Sequence, residues 1–323
     1  MLRVLTYHRV ADPEDTPDLD PALVSATPDA FRKQMEHVKR RYRPVTLQQV
    51  HEAFLEGRPL PDRAVHVTVD DAYRDFAEEA WPILRELGIP ATVFVPTAYP
   101  DHPSRILWWD RLHRATLRGP GSEAWKRAVR AGREALAPLV PAGVETHRDV
   151  RTLLRRLPHD ETERFVDSTC REIGLDDVEL SYQMPTVLSW DELRRLKREG
   201  VSFGVHTRHH AALASLAVTR MRSEIRGSIE DLTRELGPGP WPIAYPYGIY
   251  NPTVARVARE EGCTLGFTCD DGLNEPGMTD PFLLRRTNIT VRTSPSVFAL
   301  RMLPWFAEVD RWRHRHERVQ ALS

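Results

Sequence analysis

Two places in the 323-residue chain bring together residue types that can do hydrolytic chemistry. The first is Ala64-Val65-His66-Val67-Thr68-Val69-Asp70-Asp71, a run rich in β-branched residues that ends in adjacent carboxylates. Two carboxylates at the end of a buried strand repel and lose hydration, so a cation, a donor or a shared proton has to compensate. Successive strand residues face opposite sides, which divides the pair naturally into two roles. Aspartate is also a common helix N-cap and a helix-like stretch comes next, so capping stands as the competing reading of these two residues. The second place is Phe203-Gly204-Val205-His206-Thr207-Arg208-His209-His210, an apolar strand running into polar residues. His206 and His210 are spaced i, i+4, which on a helical turn puts both imidazoles within reach of one ion. One carboxylate and two imidazoles supply three ligands of intermediate softness and leave positions for water, the pattern of a catalytic metal site rather than a closed structural one.

The elements that must position these residues read as alternating strands and helices. Strands are expected at residues 2–7, 64–69, 91–96, 201–205, 242–245, 264–268 and 287–291, with His8 at the end of the first. Thr27-Pro28-Asp29 reads as a helix start, with Thr27 as N-cap and Pro28 at the first helical position. Further helices are expected near residues 47–57, 72–87, 220–236 and 252–261, and a capped one begins at Ser189-Trp190-Asp191-Glu192-Leu193. This alternation predicts a parallel sheet, most simply a barrel. It breaks between residues 100 and 182, where helical spacing replaces the strand signal and Pro138, Pro141 and Pro158 punctuate the segments. The expected organisation is therefore one barrel domain, residues 1–99 with 183–307, carrying a helical insertion at 100–182 and a charged tail at 308–323. Trp108 and Trp109, where the insertion begins, either stack on a ligand or anchor the insertion to the core. The tail, with Arg311-Trp312-Arg313-His314-Arg315-His316, reads as a solvated helix sooner than a metal or anion site.

Several stretches together resemble the polysaccharide deacetylases of carbohydrate esterase family 4, the nodulation-deacetylase homology group. They are Thr68-Val69-Asp70-Asp71, His206-Thr207-Arg208-His209-His210 and Tyr245-Pro246-Tyr247-Gly248, with Leu5-Thr6-Tyr7-His8 and Leu188-Ser189-Trp190-Asp191-Glu192-Leu193 in support. The resemblance implies an α/β fold, a distorted (β/α)7-type barrel, and a metal-dependent hydrolase that removes N-acetyl groups from an acetylated amino sugar in a glycan or glycan precursor. It assigns Asp71, His206 and His210 as metal ligands and Asp70 as the base that accepts a proton from water. The ion is expected to be divalent, zinc first, with cobalt, nickel or iron(II) also suited to the ligand set. The Tyr247 backbone N–H is the expected oxyanion donor.

Two positions depart from the common family pattern. Ala244 stands where an arginine often orients the catalytic aspartate, and Arg286 is the substitute by similarity to relatives with an arginine at the last strand. The last strand also lacks the usual Leu-x-x-His. Leu5-Thr6-Tyr7-His8 has that spacing at the other end of the chain, and first and last strands of a closed barrel are neighbours. A circularly permuted chain, as in relatives acting on poly-N-acetylglucosamine, thus makes His8 the expected general acid, supported by a carboxylate such as Asp270 or Asp271. A histidine that merely bonds at a strand end is the competing reading. His209 is expected to matter much less to the ion than His210.

Composition narrows the classes. With 45 basic and 46 acidic residues the net charge is −1, so no global field favours nucleic acid or anionic lipid. Cys170, Cys263 and Cys269 are too few and unevenly placed for a disulfide framework, and the start lacks the pattern of a signal peptide, which together point to the cytoplasm. No run approaches the ~18 apolar residues of a membrane span. Phosphate-binding glycine loops are absent, which argues against nucleotide cofactors. Ester or non-sugar amide hydrolysis by the same residues is the nearest chemical alternative. A catalytically silent carbohydrate-binding module is the alternative from another class.

Overall fold

The computed structural model describes residues 1–117, 123–135, 147–175, 186–303 and 306. Seven strands form the path of one parallel sheet: β1 (Leu2–Tyr7), β2 (Ala64–Val69), β3 (Ala91–Val95), β4 (Ser202–Val205), β5 (Ile243–Ala244), β6 (Gly266–Phe267) and β7 (Thr287–Asn288). They lie in the order β7-β1-β2-β3-β4-β5-β6, and a two-residue strand at Arg43–Pro44 pairs beside the start of β2. Leu284, just ahead of β7, makes a parallel bridge to Phe267 of β6, which curls the sheet into a distorted barrel. The first and last strands are neighbours, with Leu5 opposite Thr287 and Thr6 opposite Asn288.

Every residue of β1, β2 and β3 is buried, as expected of Val- and Thr-rich strands covered on both faces. β4 to β7 are shorter than the sequence pattern predicts, because neighbouring residues such as Leu265 and Ile289 bond one edge only or leave the ladder at the barrel mouth. All strands of the barrel run the same way, so the residues just past their C-terminal ends gather at one mouth, His8, Asp70 and Asp71, Thr97, His206, Tyr245 to Tyr247 and Cys269, together with Asn288, the last residue of β7.

Local signals set the helices. Thr27 Oγ1 accepts from the Ala30 N–H, Pro28 takes the first turn, and Phe31, Met35 and Val38 bury one stripe of the helix Pro28–Arg41. Ser189 and Glu192 form a reciprocal capping box on the helix Trp190–Arg198. The single helix expected over residues 72–87 is instead a π-helical turn, Phe76–Ala80, leading into the α-helix Trp81–Leu87, which stops at left-handed Gly88. Several elements, the Arg43–Pro44 strand among them, go beyond the sequence reading. Arg9–Val10 pairs with Val24–Ala26, folding the acidic loop between them back over the barrel mouth. The helix Pro295–Arg301 comes after β7, and its signal was the Ser294-Pro295 start that caps it.

Between residues 100 and 175 the described residues form four α-helices, Trp108–Leu117, Glu123–Ala135, His147–Leu154 and His159–Glu172, and no strand. Trp108, Trp109, Leu112, Val150, Leu154 and Phe165 build a hydrophobic cluster of their own, joined to the barrel through Tyr73 and Tyr99. Leu136, Pro138, Pro141 and the tail from residue 308 lie outside the described residues. Among the described residues no helix is long and apolar enough to cross a membrane.

Candidate metal centre and its pocket

Asp71 leaves the end of β2 with φ 71°, and Ala72 continues with φ 52°. This left-handed pair turns the chain too sharply for either aspartate to cap a helix, so the capping reading falls. The turn is held from outside by the returning chain: Leu188 N–H donates to Ala72 O and Arg74 N–H to Thr186 O, both at 2.9 Å. His206 comes directly after β4, while Thr207 (φ 60°) and His210 (φ 55°) also lie in the left-handed region. The expected helical turn between the two histidines is therefore absent. An irregular loop delivers the rings to one side, closed by the Ala211 N–H donating to Thr207 Oγ1 at 3.0 Å. Five of the six left-handed non-glycine residues among those described are Asp71, Ala72, Thr207, His210 and Tyr247. Strain of order 1–3 kcal/mol per residue, gathered in this way, marks a site that the fold holds against local preference.

Asp71 Oδ1 lies 3.4 Å from His206 Nε2 and 3.2 Å from His210 Nε2, and all three side chains are buried. Ligands about 2.0–2.1 Å from a tetrahedral zinc stand roughly 3.4 Å from one another, so these spacings fit a shared cation. Among the described residues this is the one group of histidine, cysteine and carboxylate side chains so arranged. His206 Nδ1 lies 2.8 Å from Ala244 O, which points Nε2 at the site and fixes the tautomer. Asp71 Oδ1 is buried without a hydrogen-bond partner of good geometry, the state of an acceptor shaped for a cation. Burial pushes Asp71 up, but His210 and then His206 hold it well below the usual carboxylate range. Burial lowers His210 to about 4, and a neutral imidazole is what coordination requires. Burial, the largest single influence, pulls His206 down, but the bond to Asp71, the charges of Asp70 and Asp71 and the bond to Ala244 O together shift it up.

Asp70 is held differently. Arg286 Nη1 and Nη2 donate to Asp70 Oδ1 and Oδ2, both at 2.8 Å, in a bidentate pair buried on both sides. Arg286 is in turn fixed by donating Nε to Thr268 O at 2.8 Å and Nη2 to Cys269 Sγ at 3.6 Å. The arginine missing at Ala244 is thus replaced from the start of β7, across the barrel, and the fork orients one carboxylate plane. Burial raises Asp70, yet Arg286, the next influence, leaves it below its ordinary value.

His8 ends β1 and lines the same pocket, its backbone N–H donating to Ser25 Oγ at 2.9 Å. Burial lowers its pKa, while Asp71 and then Asp70 push it up. Asp270 accepts from the Tyr250 hydroxyl and Asp271 pairs with Arg301. Tyr247 has φ 60° in the Tyr245–Gly248 turn, its ring stands edge-on 4.5 Å from that of His210, and its hydroxyl accepts from Trp108 Nε1 at 2.9 Å. Trp108 and Trp109 are 1% and 3% exposed and pack into the hydrophobic cluster of the insertion, with Trp109 also lining the pocket. Trp109 packs edge-on against His210 and donates to Tyr73, which donates to Asp110. His209 turns away to Glu224, 2.8 Å from its Nδ1.

The pocket has a volume of about 180 Å³. Its wall includes residues the motifs did not point to: Ser25 from the folded-back loop, Asn288 from β7, and Arg151 and Arg155 from the insertion. The signal for the two arginines was present, an i, i+4 pair beside the apolar positions Val150, Leu154 and Leu157.

With this geometry, comparison gives the class. The polysaccharide deacetylase family model matches residues 57–136 and 159–266, and the chain belongs to that family. It is similar to the poly-beta-1,6-N-acetyl-D-glucosamine N-deacetylase of Escherichia coli (strain K12), 32% identical over 101 residues, which is 31% of this chain and 14% of that protein. The chain therefore spans a small part of the curated relatives it matches. Among solved structures it resembles the Streptococcus pyogenes deacetylase PplD in complex with acetate, with a TM-score of 0.61 and 21% identity over 94% of this chain and 98% of the other. It likewise resembles IcaB from Ammonifex degensii, with a TM-score of 0.58 and 19% identity over 94% and 97%. At these identities the structural likeness establishes the fold.

Proposed function

We propose that the chain is a metal-dependent N-deacetylase of an acetylated amino sugar within a glycan or glycan precursor. The observation that carries this is the Asp70–Arg286 fork beside the Asp71, His206 and His210 cluster at one barrel mouth. Asp71, His206 and His210 hold a divalent ion, zinc by ligand type, with cobalt, nickel or iron(II) accommodated by the same set. Such an ion supplies two things when bound, a lowered pKa for water and polarisation of a carbonyl. Asp70, aligned by Arg286, accepts the proton of the attacking water. The Tyr247 backbone N–H donates to the oxygen that becomes negative as the amide carbon turns tetrahedral. His8, across the pocket at the end of β1, gives a proton to the departing amine. The three cysteines are unpaired, which suits the reducing compartment expected from composition.

The test is acetate release from chitooligosaccharides and from β-1,6-linked N-acetylglucosamine oligomers by protein reloaded with zinc. Release that stops on chelation and returns with metal supports the reading. Turnover only of acetyl esters would make it an esterase, and saturable sugar binding without acetate release would make it a binding module. In the same assay, His8→Ala should keep its metal and lose about 10²–10⁴-fold in turnover. Unchanged turnover would remove His8 from the mechanism.

A further inference from the structure

The charges that line the pocket are matched, with one exception. Asp70 is paired with Arg286 at 2.8 Å, Asp71 faces His206 and His210, and Arg151 Nη1 lies 2.6 Å from Asp20 Oδ2. Arg155 is different. Among the described residues its guanidinium makes no ion pair and no side-chain hydrogen bond, and its contact is the Tyr247 ring, 5.9 Å from the centroid. It sits one helical turn beyond Arg151, at the end of the helix His147–Leu154, and both line the pocket. Burial and then Arg151 pull its proton affinity below the ordinary arginine value. A half-buried cation beside a second cation is unfavourable unless an anion arrives to balance it. The Tyr247 ring bridges the two halves of the pocket, 4.5 Å from the His210 ring on one side and under Arg155 on the other.

We infer that Arg155, with Arg151 held beside it by Asp20, binds an oxyanion carried by the substrate, a carboxylate or phosphate on the acetylated sugar or the one adjoining it. The inference rests on the amino-sugar reading above and deepens it: the substrate class is an acidic glycan. The barrel then does the hydrolysis while the insertion chooses the chain to be hydrolysed. Arg155 is a specificity-determining residue and takes no part in the bond-breaking step.

Kinetics on matched probes separate this from a packing role. Acetate release is measured with an oligomer of N-acetylglucosamine alone, with one in which a lactyl ether supplies a carboxylate, and with one bearing a 6-phosphate. Wild type should prefer one anionic probe over the neutral one, and which of the two tells carboxylate from phosphate. Arg155→Gln should lose about 10- to 100-fold in kcat/KM on that probe through KM, the worth of a charge-assisted pair, with less than a twofold change on the neutral oligomer. Arg155→Lys should recover part of the loss, since it keeps the charge without the fork. An equal fall on neutral and anionic probes would make Arg155 a packing residue, and a wild type indifferent to the anion would overturn the inference outright. Calorimetric binding of the same probes to chelator-treated protein gives a second readout. Arg155-dependent anion binding without acetate release from any probe would sink the deacetylase reading and leave the anion site standing, whereas release with no anion preference would do the reverse.

Discussion

The barrel places its reactive side chains at strand ends, whereas the insertion between residues 100 and 175 contributes its two pocket arginines from the helix His147–Leu154 and the turn that directly follows it. In the barrel, Asp70, Asp71, His206 and His8 come directly after strands whose register is fixed by hydrogen bonding on both sides, Tyr7 opposite Val69 and Val95 opposite Val205. In the insertion, Arg151 and Arg155 are positioned by a small second core of Trp108, Trp109, Val150, Leu154 and Phe165. The first region holds geometry through backbone pairing that tolerates little slippage. The second holds it through side-chain packing, which alters with sequence at less cost to the sheet. On the reading proposed above, reaction chemistry and substrate choice sit on separately adjustable parts of one pocket.

If the reaction belongs to the strand ends, the largest losses come from its cation ligands. His206→Ala and His210→Ala are expected to reduce bound metal from about one per chain to near none, and turnover with it, because two remaining ligands hold an open site weakly. His209→Ala should keep its metal, since that ring faces Glu224 and the pair is partly exposed. Metal analysis of the three purified variants is the check; loss at His209 equal to that at His210 would contradict the assignment.

One step smaller is Asp70→Asn. Asparagine keeps the shape beside Arg286 but accepts no proton, so metal content should hold while kcat falls by about 10²–10⁴-fold. Near-normal kcat would reduce Asp70 to a partner that only satisfies a buried arginine.

The smallest expected effect tests the seam between the regions through Asp110, which accepts from the Tyr73 hydroxyl and the Asp20 N–H at 2.6 and 2.7 Å. Burial raises its pKa to about 6, above the value of an unfolded aspartate. The folded state then binds the extra proton between pH ~4 and ~6. Stability from this group is present below the lower value and is lost as pH rises through the upper one, by roughly 2–3 kcal/mol. Asp110→Asn cannot titrate, so its unfolding midpoint relative to wild type should rise across that window, with the metal site intact. A constant difference between the two proteins from pH 4 to 7 would mean that Asp110 does not carry the linkage.

On its own, the sequence determined the strand and helix alternation, the ligands Asp71, His206 and His210 as candidates, and the helical character of the described residues between 100 and 175. Those depend on periodicity and on side chains close in the chain, and β-branched runs or a Thr27-Pro28 cap express them locally. The Arg286 fork on Asp70 from 216 residues away was expected only through the family resemblance, while tertiary structure decided that left-handed backbone rather than a helical turn carries His210. It also brought Arg155 to the Tyr247 ring. Contacts of this kind join residues far apart in the chain, and local propensity holds no record of which distant side chain will arrive.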